Sequence, residues 1–70
     1  MSRRPGQVAL DSLRAWARKR GHAVSWRENI GMLWVVLGDP AQYDAPRVGA
    51  RRDSLADAVE VVNGRLRRRG

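Results

Sequence analysis

Apolar positions recur along this chain with two different periods. Between residues 8 and 20, Ala9, Leu10, Leu13, Trp16 and Ala17 fall on one arc of a helical wheel, and Gly21 supplies a helix stop. Between residues 22 and 28 the period shortens to two, which predicts a strand. Val24 and Trp26 then share one face, and Ala23, Ser25 and Arg27 share the other. Glu28-Asn29-Ile30-Gly31 carries the Asn and Gly of a hairpin connection. The apolar run over residues 32–37 is short and rich in β-branched side chains, so it reads as a second strand that is apolar on both faces. Gly38-Asp39-Pro40 ends it, because proline has no N–H to give a ladder. A polar loop over residues 41–45 leads to a short third strand over 47–50, with Pro46 suiting an edge position. Asp53 or Ser54 caps a last helix, with Asp57 in its first turn. In that helix Leu55, Ala58, Val59, Val62 and Leu66 occupy one narrow arc, and Asn63-Gly64 is expected to weaken the final turn.

The expected order is helix, strand, strand, strand, helix. Two helices with one apolar stripe each should cover one face of a three-stranded antiparallel sheet, an α+β fold. Residues 7–67 form the single domain, preceded by a basic arm (1–6) that Pro5 and Gly6 keep flexible, and followed by a basic tail (68–70). In the central strand Met32, Trp34 and Val36 face one way, and Leu33, Val35 and Leu37 the other. Only one face can lie under the helices, so the uncovered one should be an apolar patch. A homodimer through Leu33, Trp34 and Val35 is its simplest use.

Charge adds the main functional expectation. Fourteen basic residues face 7 acidic ones, a formal net charge of +7 on 70 residues. All the basic residues except Lys19 are arginine. A GC-rich genome explains arginine over lysine, but not twice as many bases as acids. A field of this sign draws polyanions and releases their counterions. The chain has no cysteine, hence no disulfide or thiolate metal site. Its longest apolar run is far too short for a membrane span, and no apolar stretch follows the N-terminus as in a signal peptide. A cytoplasmic protein is expected.

Catalytic groups are sparse. His22 is the lone histidine and stands at a strand start, where a structural role is the commoner one. Asp39 and Asp44 flank a turn, and Asp53, Asp57 and Glu60 stabilise the beginning of a helix. No acid and base are paired for proton transfer, so no catalytic residue, metal site or cofactor is expected. The sequence reads as a binder.

Two basic pairs are the leading candidates for contact. Arg14 and Arg18 are four apart on an outer face of the first helix, with Lys19 on its far side. Arg51 and Arg52 directly precede the second helix, where fixed charge adds to free backbone N–H groups. Together with Arg47 these make the expected nucleic-acid contacts. The simpler reading of each is a solvated charge.

Leu13-Arg14-Ala15-Trp16-Ala17-Arg18-Lys19-Arg20-Gly21 resembles the first helix of the double-stranded-RNA-binding domain family, and residues 49–59 resemble the start of its second helix. The likeness spans about residues 8–67. It implies the α-β-β-β-α fold, groove contact from Arg14 and Arg18, and phosphate contact from Arg51 and Arg52 in place of a lysine pair. Two features depart from the family: Leu55 stands where it has a third lysine, and Glu28-Asn29-Ile30-Gly31 replaces its Gly-Pro-x-His loop. HicA-type toxin ribonucleases share the topology, but residues 29–32 lack their catalytic histidine. Double-stranded RNA is the favoured partner, bound to mask or sequester it. DNA read by the sheet, as in the arm-binding domains of phage-type integrases, is an alternative. A small viral or phage inhibitor that docks a host protein on its apolar sheet face is another.

Overall fold

The computed structural model describes residues 4–69, so residues 1–3 of the expected arm and residue 70 of the expected tail lie outside the described residues. The elements follow the expected order: α1 (Gln7–Lys19), β1 (Ala23–Arg27), β2 (Met32–Val36), β3 (Arg47–Arg51) and α2 (Leu55–Arg69). The strands form an antiparallel meander in the order β1-β2-β3, and both helices cover one side of it.

Register explains which residues make the core. Val24 pairs with Val35 and Trp26 with Leu33, while Leu33 also faces Ala50 and Val35 faces Val48. Period-two alternation places all six on the side that meets Leu10 and Leu13 of α1 and Leu55, Ala58, Val59 and Val62 of α2. The opposite side consists of three cross-strand rows: Ala23–Val36–Arg47, Ser25–Trp34–Gly49 and Arg27–Met32–Arg51. Leu33 and Val35 are 0% exposed, so neither side chain is placed to meet a second copy of the folded chain. Of the three residues expected at a dimer interface, only Trp34 belongs to the uncovered side. Val36 on that side is itself 5% exposed, which leaves Met32 and Trp34 as the partly exposed large apolar groups there.

The connection between β1 and β2 is a hairpin over residues 28–31, as the sequence suggests. Glu28–Ile30 forms a 3-10 turn that Gly31 closes in the left-handed region (φ 62). The Arg52 N–H donates to the Gly31 carbonyl at 2.8 Å, which ties this turn to the junction between β3 and α2. Arg4 of the expected arm is also engaged, through an ion pair with Glu28 that raises its pKa above the ordinary value.

Ser54 is the cap of α2: its Oγ accepts the Asp57 N–H at 3.2 Å. The helix then runs unbroken past Asn63-Gly64 to Arg69, two residues into the expected tail. Val62 and Leu66, packed on the core either side of Gly64, hold the helix through that point. A Cβ on Gly64 would meet nothing within 4 Å. Gly64→Ala should therefore stabilise the domain by about 0.5–1 kcal/mol, by cutting the conformational freedom of the unfolded chain. A raised urea midpoint with unchanged slope is the expected measurement.

Each element reverses the direction of the one before it, so the first and fifth run the same way. At one end Gly6 abuts the start of α2, where an added Cβ would fall 2.6 Å from the Ala56 nitrogen. At the other end Trp16 and Arg20 of the α1 terminus line a shared groove with Leu66 and Arg67 of α2. The helices are parallel neighbours, and their C-termini share one end of the molecule.

Candidate nucleic-acid interface

The six basic residues singled out from the sequence do not converge. Arg47 and Arg51 alternate with the buried Val48 and Ala50, so they extend from the uncovered side of the sheet. Arg14, Arg18 and Lys19 are exposed on α1, in the helical layer on the other side. The Arg14/Arg18 pair and Arg51 therefore do not form one surface, because strand parity sends Arg51 away from the helices. Arg52 stays at the junction, where its Nη1 donates to the Arg51 carbonyl at 2.6 Å. Asp53 and Asp57 are exposed at the same helix start, and Ser54 already satisfies one free N–H there. Two carboxylates and an occupied cap weaken that start as a phosphate site.

A different basic cluster is assembled instead. α1 closes with Arg18, Lys19 and then Arg20, and α2 closes with Arg67, Arg68 and Arg69. Parallel packing brings these six cations to one end of the molecule, where Arg20 and Arg67 line an open groove of about 710 Å³ together with Trp16, Leu66 and Asn63 among others. The helical carboxylates Asp11, Asp57 and Glu60 all lie in the first halves of their helices, away from this end. A helix C-terminus carries roughly half a negative charge, so two of them offset only about one of the six cations. The surplus positive charge is available to a polyanion. Arg65 is not part of it, since its Nη1 donates to the Gly49 carbonyl at the edge of β3.

Arg20 is fixed at this pole by its contacts with Trp16. Arg20 lies 4.5 Å over the Trp16 ring and donates from Nη1 to the Trp16 carbonyl at 3.2 Å. Trp16 also tilts against His22, with ring centroids 5.5 Å apart. The His22 N–H donates to the Ala17 carbonyl at 2.9 Å, and its Nδ1 accepts the Gly38 N–H at 2.9 Å. The histidine thus joins α1 to the end of β2. His22→Phe keeps the ring but orphans the half-buried Gly38 N–H, and should cost about 1–3 kcal/mol. Thermal unfolding would register that loss, while RNA affinity per folded molecule stays unchanged.

Arg20, Arg67, Arg68 and Arg69 were not among the contacts expected from the sequence. The signal was present, because an odd number of reversing elements makes the first and last parallel and brings their basic ends together. Arg27, also unforeseen, joins Arg47 and Arg51 on the uncovered side of the sheet. Among the described residues no group of three or more His, Asp or Glu is placed to hold a metal ion, and no helix is long and apolar enough to cross a membrane. No protein-family model matches the chain, and no significant match was found to a curated protein or to a solved structure.

Proposed function

We propose that the chain is a non-catalytic nucleic-acid-binding domain that holds double-stranded RNA by its phosphates, and thereby masks it. The observation that carries this reading is the pole formed by Arg18, Lys19, Arg20, Arg67, Arg68 and Arg69, six cations opposed mainly by two helix dipoles. Arg14, on the same helix as the first three, extends the basic surface along α1. RNA is preferred to DNA because the α-β-β-β-α order accompanies the sequence resemblance to a family that recognises the shape of an RNA duplex. Phosphate contacts of this kind position a duplex without reading its bases, which suits sequestration better than targeting.

A gel-shift with matched double-stranded RNA, double-stranded DNA and single-stranded RNA tests the reading. Duplex RNA should bind more tightly than duplex DNA. The Arg67→Ala/Arg68→Ala/Arg69→Ala variant should lose at least about tenfold in affinity while keeping its helix content, since alanine is the best helix former. Equal affinity for the two duplexes would remove the RNA preference, and no shift with either would overturn the proposal.

A further inference from the structure

The uncovered side of the sheet lies opposite the helical layer and plays no part in the duplex contact. It carries three exposed guanidinium groups, Arg27, Arg47 and Arg51, none paired with a carboxylate among the described residues. No acidic residue belongs to any of its three cross-strand rows. Trp34 stands in the middle row, between Ser25 and Gly49, so small neighbours flank the indole on both adjacent strands. A Cβ at Gly49 would press on Met32 Cε at 3.1 Å and Trp34 Cβ at 3.3 Å, so the glycine keeps open the space beside the ring. Arg27 and Arg51 close one end of the platform, and Arg47 stands about 13 Å from Arg51 along β3, four strand residues away.

We propose that this face binds a short tract of single-stranded nucleic acid. One base stacks on the indole of Trp34, while Arg27, Arg47 and Arg51 hold the phosphates on either side. Charge complementarity selects this occupant. A second copy applied about a two-fold axis would set three guanidinium groups against three others with no carboxylate between them. A duplex buries its base faces in its own stack, whereas a partly exposed aromatic ring bordered by cations suits an unstacked base. The residues differ from those of the helical pole, so the two contacts stand or fall separately.

The test measures fluorescence anisotropy of a labelled ten-nucleotide oligouridylate and, separately, of an RNA duplex, using the full chain. Trp34→Thr and Arg27→Ala/Arg47→Ala should each weaken single-strand binding by at least about tenfold, with duplex binding and far-UV circular dichroism unchanged. The double arginine variant alters exposed positions only, so it decides the matter even if Trp34→Thr disturbs the sheet. Arg67→Ala/Arg68→Ala/Arg69→Ala should show the reverse pattern. Three results overturn the proposal: no single-strand binding by the unmodified chain, binding that survives both sheet variants, or a dimer in sedimentation that Trp34→Thr dissociates. Binding of the duplex alone leaves the helical-pole reading intact and removes this one, and binding of neither removes both.

Discussion

Gly31→Ala is expected to cost about 2–5 kcal/mol, roughly half or more of the stability available to a domain of this size. Two effects add. Gly31 has φ 62, a conformation that costs a residue with a Cβ about 1–2 kcal/mol. Its Cβ would also run into the carbonyl oxygen of Arg52, a backbone atom that cannot swing aside as a flexible side chain can. Overpacking of this kind typically costs about 1–3 kcal/mol more. The Arg52 N–H donates to the Gly31 carbonyl, so relief by separation would also lengthen the bond that joins turn to junction. A fall in Tm of more than about 10 °C is expected. Gly21→Ala is the control: Gly21 has φ 71 but nothing within 4 Å of an added Cβ, so only the conformational cost applies there. Equal losses at the two positions would show that the approach of turn to junction does not constrain the fold.

Raising the salt concentration from about 50 to 200 mM should weaken duplex RNA binding roughly 500–2,000-fold. The figure follows from five or six phosphates neutralised at the helical pole, each adding about 0.9 to the slope of log affinity against log salt. In Arg67→Ala/Arg68→Ala/Arg69→Ala two or three contacts remain, and the same change in salt should cost only about 10–50-fold. The change in slope is more telling than the affinity itself, because it counts phosphates, whereas an affinity also moves when a fold loosens. A slope that the triple substitution leaves unaltered would place the contact elsewhere.

The architecture was legible where local chemistry decides it. Leu10, Leu13 and Ala17 mark their helix by spacing alone, and the alternation of Val24 with Ser25 and Trp26 marks a strand whatever packs on it. Ser54 caps because a hydroxyl two or three residues ahead of free N–H groups needs no tertiary help. The central strand defeated the same logic. Six consecutive apolar residues look alike from either side, and only pairing with β1 and β3 shows that Leu33 and Val35 lie under the helices while Trp34 does not. The contact residues were less legible still. Arg51 and Arg52 are adjacent in sequence, yet strand parity commits the first to the uncovered sheet while the second stays at the helix junction. Arg20 and Arg67 are 47 positions apart, and only the parallel packing of two helices makes them neighbours.

That packing also gives the molecule an electrical orientation. With Asp11, Asp57 and Glu60 toward the helix starts and six cations at the helix ends, positive and negative charge separate along the helix axes. A chain approaching a polyanion therefore experiences a torque as well as an attraction, and turns its cationic end forward before any atoms touch. Collisions that begin in the wrong attitude are corrected in flight, so association should proceed faster than for a domain of equal net charge spread evenly. The gain fades once the screening length shrinks below the size of the domain, near 10 Å at about 0.1 M salt.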